Sequence, residues 1–249
     1  MSKVDTATDI LLKIHTNMFN MLAFSTLFAV SITSCTPAQE KDTPSVSTPK
    51  TGIRYLALGD SYTYGESVPE NERFPNQLVD SLAKQNIKIS SLRSIARTGW
   101  RTDDLQAGIT AAGIGDSTFD LVSLLIGVNN QYQNRPIEVY KTEFTQLLNQ
   151  AVKLAGGQKN RVVVVSIPDY AYTPFGGGRA SISTEIDKFN AANEQITKEM
   201  GIAYVNITPI SREGIKEPLL VAKDGLHPSG KQYGRWVSAM MPIVIGFLR

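Results

Sequence analysis

A serine hydroxyl becomes a useful nucleophile when a base takes its proton and a further group holds that base in the productive tautomer. The 249-residue chain contains two histidines, His15 and His227. His15 falls in a segment read below as a removed leader, so His227, in Asp224-Gly225-Leu226-His227-Pro228, is left to serve a serine. Asp224 stands three residues before it in a loop-like stretch broken by Gly225 and Pro228, where a carboxylate can hold one ring nitrogen while the other faces a hydroxyl. The serine that fits is Ser61. The apolar-biased Tyr55-Leu56-Ala57-Leu58 runs into Gly59-Asp60-Ser61, and a helix-like segment follows near Glu72. That is the pattern of a buried strand delivering a residue to a turn. In an open parallel sheet such a turn lies at the carboxyl edge, where these folds bind ligands. Taken singly, an Asp and His pair is more often structural, and Gly-Asp-Ser is a common turn.

The elements that must position these residues alternate along the chain. Apolar runs predict strands near 53–59, 88–95, 119–126, 161–167 and 202–206; amphipathic stretches predict helices near 72–86, 102–112, 137–155, 183–200 and 230–246. Arg161-Val162-Val163-Val164-Val165-Ser166 is the clearest strand, a β-branched run suited to burial on both faces. Strand and helix in alternation predict an α/β domain over 53–249, three layers α/β/α around a parallel sheet of about five strands. Right-handed crossovers restrict the order to a flavodoxin-like one. Gly99 is a turn residue after the second strand, and Thr102 is placed to cap the helix that follows. Asn129 closes the third strand; its side-chain amide is a neutral donor suited to a transient negative charge, or an ordinary turn asparagine.

Gly59-Asp60-Ser61, Gly99, Gly127-Val128-Asn129-Asn130 and Asp224-Gly225-Leu226-His227, in this order and spacing over roughly 53 to 246, together resemble the SGNH, or GDSL, hydrolases. The resemblance implies a serine ester hydrolase working through an acyl-enzyme without a cofactor. It makes Ser61 the nucleophile, His227 the proton shuttle and Asp224 its orienter. The backbone N–H groups of Ser61 and Gly99 and the Asn129 side chain become the oxyanion donors. One position departs from the family pattern, which usually has Gly-Xaa-Asn-Asp where this chain has Asn130. The implied substrates are small-molecule, lipid or acylated-glycan esters. A polysaccharide O-acetyl esterase is an alternative within the enzyme class, and a surface lipoprotein that binds glycan or lipid without catalysis is the rival outside it.

The stretch from Ile167 to Arg179 carries two prolines, three glycines and three aromatics, which makes it a loop at the ligand-binding edge. Tyr62, Tyr64, Trp100 and Tyr132 follow other strand ends and are candidates for an apolar acyl site, or for plain loop packing. Gly225 to Lys231 fits the first seven positions of a P-loop, but Gln232 replaces the hydroxyl residue that would hold magnesium. A zinc site lacks ligands, with one histidine in the domain and one cysteine in the chain.

Composition sets the remaining bounds. With 42% hydrophobic and 19% charged residues the chain is ordinary for a globular protein, and scattered Lys and Arg at a net charge of +2 give no nucleic-acid surface. A mostly apolar run from Met18 to Ile32 is shorter than the roughly 20 residues of a membrane span and reads as the core of a signal peptide over 1–34. Ile32-Thr33-Ser34-Cys35 resembles the bacterial lipobox, which implies lipid attachment at Cys35 and a membrane-anchored cell-envelope protein. Residues 35–52, rich in Pro, Ser, Thr and Lys, read as a flexible tether. Asp5 and Asp9 offset Lys3 and Lys13 in the leader, so a start at Met18 or Met21 is a second reading; nothing in the sequence sets the oligomeric state.

Overall fold

The computed structural model describes residues 52–249. The expected signal peptide, Cys35 and all of the expected tether except Gly52 lie outside the described residues. Five strands form one parallel sheet: β1 (Ile53–Gly59), β2 (Ile89–Ala96), β3 (Leu121–Leu125), β4 (Val162–Val165) and β5 (Ala203–Val205), in the order β2-β1-β3-β4-β5. This is the expected flavodoxin-like order. β3 and β4 are buried along their whole length, as continuous apolar runs covered on both faces must be. β2, at the sheet edge, has Ser90, Ser91, Arg93 and Ser94 among its residues and is largely solvent-facing.

The described residues also form eight α-helices: α1 (Ser61–Tyr64), α2 (Phe74–Ala83), α3 (Thr102–Ala111), α4 (Val128–Tyr132), α5 (Ile137–Leu154), α6 (Ala180–Glu199), α7 (Thr208–Ser211) and α8 (Gly230–Leu248). The chain crosses from β1 to β2 through α2, then back past β1 to β3 through α3. Right-handed crossovers therefore put those two helices on opposite faces. α2 packs with α8, while α5 packs with both α3 and α6. Phe74, Tyr233 and Trp236 interlock on the first side, with ring centroids 5.0–6.3 Å apart. Tyr140, Phe144 and Phe189 do so on the second, at 4.8–5.5 Å. Truncating Trp236, which is fully buried, to alanine is expected to cost about 3–5 kcal/mol.

α2 begins later than the periodicity suggests because Glu70–Glu72 forms a separate 3-10 turn and Pro75 sets the helix start; it ends before Asn86, which takes a left-handed conformation. The expected cap at Thr102 is a correction: Thr102 is inside the helix and buried, and Arg101 is the capping position. There the Arg101 N–H donates to Asp104 Oδ2 at 3.0 Å.

Candidate active site

β1 pairs with both β2 and β3, and Gly59 stands opposite Ala96 on one side and Leu125 on the other. The three strands therefore end level. The turns after them, carrying Ser61, Gly99 and Asn129, leave the same edge side by side, where the chain order of the sheet reverses. Ser61 is the first residue of α1, whose N-cap is Asp60; the Asp60 Oδ1 accepts the Tyr62 N–H at 2.9 Å. Gly59 is required by space: a Cβ there would lie 2.1 Å from Thr63 Oγ1 and 2.5 Å from the Leu125 carbonyl oxygen. Gly99 is required by conformation instead, with φ at +82° and open space where a Cβ would stand.

His227 reaches this edge from a tight loop between α7 and α8. Val221 and Pro228 form an isolated antiparallel bridge, and the Ala222 N–H donates to the His227 carbonyl at 2.7 Å. His227 Nε2 lies 3.0 Å from Ser61 Oγ, and Nδ1 lies 2.6 Å from Asp224 Oδ2. Both the Ser61 and His227 side chains are buried. Asp224 Oδ1 accepts the N–H groups of Leu226 and His227, each at 2.9 Å, so the carboxylate also shapes the loop that bears the imidazole. Partial burial pulls the Asp224 carboxyl upward, but donation from the Ser67 hydroxyl, the His227 ring and those two N–H groups outweighs it and holds it down at about 2. Asp224 is a carboxylate at any ordinary pH.

Asn129 Nδ2 donates to the Trp100 carbonyl at 2.9 Å. An amide nitrogen carries two hydrogens, so one remains for the cavity that Asn129 lines. This cavity, of about 230 Å³, is also bounded by Ser61, Gly99 and His227, with an apolar wall from Tyr62, Val128 and Leu226. Tyr132, Tyr170 and Phe175 form its rim, their ring centroids 6.1–6.2 Å apart. The Phe175 N–H donates to the Gly225 carbonyl at 2.9 Å, which ties the aromatic loop to the histidine loop.

All five residues singled out from the sequence thus border one cavity or, for Asp224, touch a residue that does. Two of the expected aromatics do not join them. The Trp100 ring packs against Gly108 of α3, where a Cβ would lie 2.3 Å from it, and the Tyr64 ring lies under the Arg73 guanidinium at 4.7 Å. Ser67, whose hydroxyl donates to Asp224 Oδ2 at 2.7 Å, went unnoticed in the sequence because nothing there marks an exposed loop serine. Its left-handed φ of +64° is a feature of the fold alone. Asp60 is a further ionisable group at this edge. Fully buried, with Oδ2 unpartnered among the described residues, it is pushed up to about 7 by burial, against the pull of the Tyr62 N–H.

A model of the GDSL-like lipase/acylhydrolase family matches residues 57–235. No curated protein matches the chain. Among solved structures, the lipase Lip_vut3 from a goat rumen metagenome has a TM-score of 0.65 at 18% identity, covering 77% of this chain and 97% of its own. The psychrotrophic esterase EstA from Pseudoalteromonas sp. has a TM-score of 0.61 at 17% identity, covering 79% and 98%. Axe2, an acetylxylan esterase from Geobacillus stearothermophilus, has a TM-score of 0.60 at 19% identity, covering 80% and 97%. At these identities the likeness is one of fold.

Proposed function

Because the chain belongs to the GDSL-like lipase/acylhydrolase family, we propose that it hydrolyses carboxylic esters through an acyl-enzyme on Ser61. The observation that carries this reading is the unbroken line from Ser61 Oγ to His227 Nε2 at 3.0 Å and from His227 Nδ1 to Asp224 Oδ2 at 2.6 Å. As Ser61 Oγ attacks the ester carbon, its proton passes to His227 Nε2, and Asp224 stabilises the imidazolium from the Nδ1 side. The charge on the carbonyl oxygen falls to the Ser61 and Gly99 N–H groups and the free hydrogen of Asn129 Nδ2. His227 returns the proton to the departing alcohol, leaving the acyl group on Ser61. Water, activated by the same imidazole, then releases the acid and restores the serine.

The small cavity and its apolar wall favour short acyl chains. A second reading, removal of acetyl groups from a polysaccharide, is favoured by the rim: Tyr132 and Phe175 are 54% and 46% exposed, and flat aromatic faces of this kind suit sugar rings. On the lipobox-like Ile32-Thr33-Ser34-Cys35 alone, we place the enzyme on a lipid anchor at the bacterial cell envelope. Ser61→Ala assayed with p-nitrophenyl acetate and butyrate tests the enzyme reading. Activity should fall by roughly 10⁴-fold or more in a protein that still melts cooperatively. Undiminished turnover rejects it.

A further inference from the structure

The Thr102 hydroxyl has one hydrogen and two neighbours. The Thr102 backbone N–H can only donate, and it lies 3.1 Å from Asn130 Oδ1, which fixes the orientation of that amide. Asn130 Nδ2 therefore faces the hydroxyl, 2.6 Å from Oγ1, and donates to it. The hydroxyl hydrogen is left for the other neighbour, the Glu143 carboxylate on α5, to which Thr102 Oγ1 donates. Donation runs in one direction only, from Asn130 through Thr102 to Glu143. Asn130 and Thr102 are fully buried, where a reversed or missing bond is costly.

This chain of donors fastens together the two turns that bring Asn129 and Gly99 to the cavity. Asn130 adjoins Asn129, and Thr102 adjoins the turn whose Trp100 carbonyl accepts from Asn129 Nδ2. We propose that Glu143 is a positioning residue for the oxyanion donors. It supplies from α5 the carboxylate that the SGNH pattern usually carries where this protein has Asn130. The inference rests on the serine hydrolase reading above; neither Asn130 nor Glu143 touches the reacting atoms. Because an asparagine at 130 must donate, an acceptor has to stand on the far side of Thr102, and Glu143 is that acceptor.

The test is a polarity swap. Asn130→Asp puts two acceptors around one hydroxyl hydrogen and should lower kcat by about 10-fold or more, a fraction of the loss of a whole oxyanion donor, with KM little changed. Glu143→Gln alone retains an acceptor in its side-chain carbonyl and should stay within about 3-fold of wild type. Combining Asn130→Asp with Glu143→Gln reverses the order: the introduced amide on α5 donates to Thr102, and Thr102 donates to the introduced carboxylate. This double variant should restore kcat to within about 3-fold of wild type. If Asn130→Asp alone does not fold, recovery of folded, active double variant gives the same support. An unimpaired Asn130→Asp, or a double variant no better than Asn130→Asp, overturns the proposal while Ser61-dependent turnover in wild type still stands. Wild-type turnover that survives Ser61→Ala overturns both.

Discussion

The serine side and the histidine side of the cavity are held by different means. Ser61, Gly99 and Asn129 emerge from three adjacent strands whose ends are level, so the register of a buried sheet sets their spacing. His227 arrives 166 residues after Ser61 on a loop whose shape depends on a few local bonds, among them the Leu226 and His227 N–H groups donating to Asp224 Oδ1 and the Ala222 N–H donating to the His227 carbonyl. Local substitutions should therefore move the second group more readily than the first. Asp224 combines two tasks, shaping the loop and holding the imidazole, whereas on the sheet side the tasks are divided among several residues.

Changes at the histidine side should break this contrast most severely. Asp224→Asn removes the carboxylate that fixes the His227 tautomer and should reduce kcat by roughly 10³–10⁴-fold; steady-state kinetics beside a thermal melt will separate loss of chemistry from loss of fold. Next in size is Asn129→Ala, expected to lower kcat by about 10²–10³-fold with the melting temperature nearly unchanged, because the strands and not this side chain hold the turn. Ser67→Ala should cost only a few-fold in kcat, since Asp224 Oδ2 keeps the His227 ring as its partner. A loss as large as that of Asp224→Asn would show that Ser67, and not the loop's own backbone, carries the orientation.

A separate effect falls on stability and its dependence on pH, not on turnover. Asp60 in the folded protein keeps its proton up to about 7, whereas in the unfolded chain it is released near 3.8. Between those values the folded state binds more protons, so this group's contribution declines as pH rises, by an amount on the order of a few kcal/mol at most. Asp60→Asn keeps an oxygen for the Tyr62 N–H and should flatten the fall in melting temperature between pH 4 and 7. A wild-type-like slope in the variant would remove Asp60 from that account. Asp224 works in the opposite sense, its contribution being complete above about 3.8 and lost as pH falls through about 2. An acid limb of the pH–rate profile above pH 4 therefore belongs to another group.

The sheet was legible because its signals are strong: Val162–Val165 is buried on both faces, and the alternation of strands with helices leaves few orders open. His227 was legible from scarcity, as the one histidine of the domain, and Ser61 from the apolar run that delivers Gly59-Asp60-Ser61 to a turn. Gly99 and Asn129 needed the family pattern, because a turn glycine and a turn asparagine look alike whatever they do. Short helices such as α1 and α4 carry too little periodicity to be read, and the aromatics after the strand ends gave no sign of direction. Tyr62 turns toward His227, with ring centroids 5.2 Å apart, while Trp100 packs down on α3. Ser67 and Glu143 depend on contacts across 157 and 41 residues, which no local pattern encodes.

The most direct test is covalent labelling by a fluorophosphonate, followed by intact mass and peptide mapping. A single adduct on Ser61 in wild type, greatly slowed in His227→Ala, is the predicted result. An unlabelled wild-type protein, or an adduct on any other residue, would contradict the claim that Ser61 and His227 work as one unit.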